Sequence, residues 1–329
     1  MSTTNEAPGP DRPPFDPELD AVLAMIRESG FPQTLTPELI PEVREATRAQ
    51  TPPREQLLAP EGISATDVTI TGHAGGRIEL TVLQANDRTG TGPGIYHTHG
   101  GGSVLGDRWT GVPGLLPALR RYNAVMITVE YRLAPEHPDP TPVEDSYAGL
   151  LWFAEHAAEL GLDLDRLIVA GGSAGGGLAA GLTLLARDRR GPRLHGQLLM
   201  CPMLDDRDAT VSARQIDGVG LWDRGSHLTG WNALLGDRRG GDDVSIYAAP
   251  ARAADLSGLP PAYIDCGSAE VFRDEDVAYA TALWAAGVQA ELHVWAGGFH
   301  GFDEIAPQAA VSRAAVAARA DWLDRTLGR

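Results

Sequence analysis

The chain has 329 residues, 43% of them hydrophobic and 22% charged, with a formal net charge of -17; it suits a globular protein of one large or two smaller domains, with a field that repels nucleic acid and anionic membrane surfaces. Lysine is absent and all 27 basic residues are arginine, which excludes a Ser-Lys dyad, a Schiff-base lysine and a P-loop lysine. The two cysteines, Cys201 and Cys266, lie in apolar strand-like stretches and read as buried free thiols, with no disulfide framework. No apolar run approaches the ~18 residues of a membrane span. Met1 to Pro10 is polar without an apolar h-region, so no signal peptide is expected and a cytoplasmic protein is.

After a tail rich in proline and small polar residues over 1–15, a helix is expected from Asp16 as cap and Pro17 in the first turn, with Leu19, Val22, Leu23 and Ile26 on one face and Gly30 at its end. A second follows with Thr36 as cap, Pro37 in the first turn, and Leu39, Ile40 and Val43 on its apolar side. From about residue 66 the period changes to two: Val68 and Ile70, then Ile78, Leu80 and Val82, flank a turn at His73-Ala74-Gly75-Gly76 and predict a hairpin. Strand-like runs then recur at 94–98, 124–129, 167–170, 197–201, 262–266 and 292–295. Helical patterns lie between most of them, as at 143–160 and 178–189, and a last helix is expected over 307–327. Such alternation predicts an α/β fold with a mostly parallel sheet covered on both faces. Residues 205–248 break it with charges, glycines and scattered apolar residues, including Trp222 and Trp231. They read as a helical insertion that, with residues 1–55, forms a lid over the carboxyl edge of the sheet. The expected organisation is a cap segment at 1–55, core at 56–204, cap insertion at 205–248 and core again at 249–329. For the two tryptophans, lining a pocket and anchoring a core stand as equal readings.

The strongest local signal is Gly171-Gly172-Ser173-Ala174-Gly175-Gly176, placed after the strand run 167–170 and before a helix expected to begin near Gly177. This is the context of a nucleophile elbow: a sharp strand-to-helix turn strains the serine backbone, and side chains two residues to either side would clash, hence Gly171 and Gly175. Upstream, His99-Gly100-Gly101-Gly102 follows the strand ending at Thr98. Its glycines leave backbone N–H groups free to face an oxyanion, and Gly101, Gly102 and Ala174 are the expected donors. His97 and His99 share an x-H-x-H spacing, but no third or fourth ligand is evident, so neither a metal nor any other cofactor is expected. Serine needs a general base, and of the nine histidines His300 is preferred. It follows the last strand in the loop Gly297-Gly298-Phe299-His300-Gly301-Phe302, on the same sheet edge as Ser173. The acid that orients it is expected after the preceding strand, where Glu270 is chosen over Asp274, which falls at the start of the next helix and suits a cap. The order Ser173, Glu270, His300 is the one hydrolases of the α/β-hydrolase fold use.

With these residues the sequence resembles the bacterial hormone-sensitive-lipase-like esterases. The likeness runs from about Gly94 to Phe302 and rests on His99 to Gly102, Tyr131-Arg132-Leu133-Ala134-Pro135-Glu136-His137-Pro138, Glu144-Asp145, the elbow, and Phe299-His300-Gly301-Phe302. Two positions depart from it. Gly172 stands where members often carry an acidic residue. Glu270-Val271-Phe272-Arg273-Asp274-Glu275 stands in place of D-P-L-R-D-E, so the acid is one methylene longer and its loop must sit farther back. The resemblance implies hydrolysis of small-molecule carboxylic esters of short to medium acyl chain by a Ser-His-Glu triad. It also implies a helical cap built from the N-terminus and the insertion after the sixth strand, and it allows a homodimer through the sheet edge and last helix. An amidase or lactonase would use the same machinery. A non-catalytic small-molecule receptor on the same scaffold would be expected to lose a triad member, and here all three positions are filled.

Overall fold

In the computed structural model, which describes residues 11–328, the strand-like segments pair into one eight-stranded sheet. The strands are β1 (Ile63–Thr71), β2 (Arg77–Ala85), β3 (Gly92–Thr98), β4 (Val125–Glu130), β5 (Leu162–Gly172), β6 (Gly196–Met200), β7 (Ala262–Gly267) and β8 (Ala290–Trp295), in spatial order β1-β2-β4-β3-β5-β6-β7-β8. The hairpin expected at His73 to Gly76 forms: β1 and β2 pair antiparallel, β2 pairs antiparallel with β4, and every other pairing is parallel. Within the parallel part β3 is buried at every position and β5 from Leu167 to Gly171, as continuous apolar runs require when both faces are covered. On one face Leu150, Phe153, Leu178 and Leu182 of the helices Thr141–Glu155 and Ala174–Asp188 pack on Tyr96 and Val169. On the other, Leu119, Trp322 and Leu323 pack on Ile95, Ile168 and Leu198. The chain leaves β3 for β4 on one side and returns to β5 on the other, so the strand order reverses between β3 and β5. The crevice beyond their carboxyl ends is where such sheets bind ligands.

Several boundaries differ from the sequence expectation. The first helix, Pro17–Glu28, has its predicted cap, with Asp16 Oδ1 accepting from Glu18 N at 2.8 Å. Thr36 makes no side-chain cap: Pro37–Leu39 is a 3-10 turn and the α-helix begins at Ile40. The helical run 143–160 breaks at His156, and the terminal helix begins at Ala310 after a separate turn at Phe302–Ile305. Residues 1–10 of the expected tail lie outside the described residues.

The segment 205–248 is helical at Val211–Gln215 and Arg224–Leu235, and it joins the N-terminal helices. Thr34 Oγ1 donates to Asp223 Oδ2 (2.5 Å), Leu35 N to Ser226 Oγ (2.8 Å) and Thr229 Oγ1 to Leu35 O (2.8 Å). Leu35, Ile40 and Val43 share a cluster with Ile216, Trp231 and Leu234, so Trp231 is a core anchor. His227 lies in this layer with both ring nitrogens unpartnered among the described residues, and burial pushes its pKa down to about 4. It therefore stays neutral in the folded protein but takes a proton on unfolding below its ordinary value of 6.5. Stability from this group is present above pH 6.5 and is lost as pH falls toward 4, by about 3 kcal/mol in all. His227→Phe, which strands no partner, is expected to shrink the difference in urea midpoint between pH 7 and pH 4.5; an unchanged difference would place the acid sensitivity elsewhere.

Candidate active site

Ser173 sits between β5 and the helix Ala174–Asp188 with φ 57° and ψ -126°, a backbone state that costs about 1–3 kcal/mol and needs external support. Ser173 N donates to Met200 O (2.8 Å), while Gly177 N and Met203 N donate to Ser173 O (3.0 and 2.9 Å). The flanking glycines are steric requirements: a Cβ on Gly171 would lie 2.3 Å from Gly175 O, and one on Gly175 2.1 Å from Thr98 O. The helix begins at Ala174, directly after the serine, and not near Gly177. Its free N-terminal N–H groups therefore start at Ala174 itself.

The three polar groups expected to meet do so. His300 Nε2 is 2.9 Å from Ser173 Oγ, and His300 Nδ1 is 2.7 Å from Glu270 Oε2. A carboxylate only accepts, so Nδ1 carries the proton and Nε2 accepts from the serine hydroxyl. Glu270 is fully buried, and its other oxygen accepts from Gly267 N at 3.1 Å. The Phe272 ring meets His300 edge-on, with centroids 5.0 Å apart. Asp274 is not in this set: its carboxylate accepts from Ser212 N (2.8 Å) and Arg273 Nε (2.8 Å), so it holds the insertion helix Val211–Gln215.

In the glycine loop, Gly101 and Gly102 have φ 115° and 61°, and neither N–H has a hydrogen-bond partner among the described residues. The loop closes on itself through Val104 N and Leu105 N, which donate to Gly101 O at 3.1 and 2.8 Å. A Cβ on Gly102 would stand 2.5 Å from the Trp222 ring. Gly102→Ala, which sets a Cβ against Trp222 at a positive φ and so displaces the loop, is expected to lower kcat about a hundredfold, the scale of one lost oxyanion donor, at a stability cost of about 1 kcal/mol or more; a kcat within twofold of wild type would remove this loop from the reaction. His99 Nδ1 lies 2.8 Å from Gly100 O, and burial pushes its pKa down to about 4, which keeps it neutral. Neither His97 nor His99 belongs to a cluster of three potential metal ligands among the described residues; the two such clusters, Cys201 with Glu270 and His300, and Cys266 with Glu270 and Asp276, both draw on Glu270.

Ser173, His300, Gly101 and Trp222 line one cavity of about 480 Å³, lined on the cap side by Phe31, Leu35, Val43 and Leu221. Trp222 is thus a cavity wall. So is Cys201, which the sequence reading buried; it lies one residue past β6, is only partly buried, and like Cys266 is a free thiol.

Comparison with known proteins gives the family. A family profile described as alpha/beta hydrolase fold matches residues 95–304. The chain is 36% identical over 282 residues to carboxylesterase NlhH of Mycobacterium tuberculosis, covering 84% of this chain and 86% of that one. The chain belongs to the α/β-hydrolase family, in its hormone-sensitive-lipase-like branch. Esterase LipI of M. tuberculosis is 37% identical over 234 residues, covering 69% of this chain and 72% of that one. Among solved structures, a bacterial heroin esterase superposes with a TM-score of 0.86 at 37% identity, over 95% of this chain and 98% of that one. A thermostable esterase from Pseudomonas putida superposes with a TM-score of 0.84 at 32% identity, over 97% of this chain and 99% of that one.

The segments that carried the family resemblance brace this α/β-hydrolase site from behind. Tyr131 donates its hydroxyl to His99 O (2.7 Å) and stacks on the His99 ring at 4.1 Å. Ala134 N donates to Ser103 O at 3.0 Å. Arg132 and Asp145 form a forked pair with two 2.8 Å bonds, and Asp145 also accepts from His73 N (2.7 Å). Sequence reasoning missed two residues with local roles. Arg44 donates to Val104 O (2.6 Å) and Ala134 O (2.7 Å), tying the helix Ile40–Gln50 to the glycine loop. Glu275 accepts from Leu204 N (2.7 Å) and Asp205 N (3.3 Å) where the insertion leaves the core. Both act across long sequence separations, and only the last turn of the family's acidic run hinted at Glu275.

Proposed function

We propose that this carboxylic ester hydrolase acts on short- to medium-chain esters through an acyl-enzyme on Ser173. His300 takes the Ser173 proton as the hydroxyl attacks the ester carbonyl. The oxyanion accepts hydrogen bonds from the N–H groups of Gly101, Gly102 and Ala174, beside the positive end of the helix Ala174–Asp188. His300 then hands the proton to the departing alcohol, and a water deprotonated by the same imidazole releases the acid. Glu270 holds the tautomer and stabilises the imidazolium. The observation that carries this reading is the continuous relay from Ser173 Oγ through His300 to a fully buried Glu270, with steps of 2.9 and 2.7 Å.

In the same proposal, residues 11–55 and 205–248 act as a cap, supported by their mutual hydrogen bonds and by the apolar side chains they turn onto the cavity. A homodimer through β8 and the terminal helix is supported by the exposed Val294 and Val316. No helix among the described residues is long and apolar enough to cross a membrane. The test is a series of p-nitrophenyl esters from acetate to dodecanoate beside the matching anilides and lactones, with organophosphate labelling located by peptide mapping. Esters up to about eight carbons should dominate, for a cavity within the common ligand-site range of about 300–1,000 Å³, and the label should sit on Ser173. Faster anilide or lactone turnover would replace the ester reading.

A further inference from the structure

The cavity has a second, polar wall that the proposed ester chemistry does not use: His97, Thr110, Asp303, Glu304 and Arg319. His97 is buried at the end of β3, and its tautomer follows from its neighbours. Thr128 Oγ1 donates its only proton to Arg108 O (2.6 Å), so it accepts from His97 Nδ1 at 2.9 Å. Nε2 is left as a bare lone pair with no partner among the described residues. Burial and the nearby His99 push the His97 pKa down to about 3, so the ring stays a neutral acceptor. Glu304 is a second acceptor at the same place: a Cβ on Gly111 would lie 3.3 Å from His97 Nε2 and 3.7 Å from Glu304 Oε1. Glu304 is an exposed residue at the edge of the cavity whose carboxylate has no hydrogen-bond or ion-pair partner among the described residues, and the surrounding protein and neighbouring Asp303 raise its pKa from the ordinary value.

The local charge has one sign. Arg319 is the cation of this wall, and it is shared between Asp265 (2.8 Å) and Asp303, which leaves negative charge in surplus before Glu304 is counted. An unfilled buried acceptor at His97 Nε2, a solvent-facing carboxylate at Glu304 and surplus negative charge on this wall of the cavity favour a ligand group that donates hydrogen bonds and carries positive charge. A neutral alkyl group seated there would strand His97 Nε2 away from water, and an anion would be repelled.

We propose that Glu304 and His97 Nε2 form a subsite for a protonated amine, so that favoured substrates are esters with an amino group on one side of the scissile bond. This rests on the reading of the Ser173 cavity as the ester site and adds a substrate class to it.

The test compares isosteric pairs that differ only in a protonated nitrogen. With the charge in the alcohol, the pair is 2-(dimethylamino)ethyl butanoate and 3-methylbutyl butanoate. With the charge in the acyl chain, it is ethyl 4-(dimethylamino)butanoate and ethyl 5-methylhexanoate. Wild type at pH 7 should favour the charged member of at least one pair by about tenfold in kcat/KM, and Glu304→Gln should bring that ratio close to one, the loss expected for one charge-assisted hydrogen bond. No preference for charge in either pair overturns the subsite. So does a Glu304→Gln variant that slows both members of a pair equally, which would assign the carboxylate to the field around His300. Ser173→Ala, assayed in parallel on the neutral esters, tests the ester site separately: its retention of turnover would count against the serine and leave the charge ratio readable.

Discussion

Ser173→Ala is expected to lower kcat/KM for p-nitrophenyl butanoate by about three to six orders of magnitude, with Tm within a few degrees of wild type. The substitution deletes one oxygen atom and leaves the turn intact. Its three supporting hydrogen bonds run through the backbone N–H and C=O of residue 173, which alanine keeps, and alanine tolerates the positive φ no worse than serine does. What disappears is the nucleophile and the acceptor of the acyl group. What stays is the pocket of peptide nitrogens, which on its own still accelerates water attack by about a thousandfold, so residual turnover is expected, without burst kinetics. The variant should also take no organophosphate label. Turnover near the wild-type rate in a preparation free of contaminating esterase would end the nucleophile assignment.

Much of this site was legible because its signals are local. The elbow needs Gly171 and Gly175 within a few residues of Ser173, and the strand before it is a plain apolar run. The start of the next helix was hidden by the same chemistry: Gly175, Gly176 and Gly177 have poor helix propensity, yet close packing against Thr98, Pro202 and Met203 selects glycine there and the helix forms across them. What the sequence could not order was partnership over long separations. The x-H-x-H spacing of His97 and His99, which lacked further ligands, could not show that His97 Nδ1 is committed to Thr128 on the neighbouring strand. Trp222 and Trp231 gave no local reason to differ, and tertiary packing sends one to the cavity and the other to the core. Cys201 read as a strand residue because Leu198, Leu199 and Met200 precede it; the strand ends one residue early, at Met200, and Cys201 becomes part of the cavity wall.

The choice between Glu270 and Asp274 gives the other large expected effect. Glu270→Gln should reduce kcat about a thousand- to ten-thousandfold with modest change in KM, because an amide can offer N–H to His300 and favour the tautomer with its proton on Nε2, which cannot accept from the serine. Folding should not suffer, since the substitution removes a buried charge and keeps the shape. Glu270→Asp is the finer probe. From the loop after β7 the glutamate side chain spans to a 2.7 Å contact with Nδ1, so a side chain one methylene shorter falls short and should lose about tenfold to a hundredfold, the scale of an ångström of misplacement. Asp274→Ala acts on a different structure: it frees Ser212 N and loosens the insertion helix, which should cost about 1 kcal/mol of stability and leave kcat within about threefold, far below the effect at a triad position. A larger kcat loss at Asp274 than at Glu270, in variants matched for Tm, would transfer the orienting acid to Asp274 and require the loop to rearrange when substrate binds.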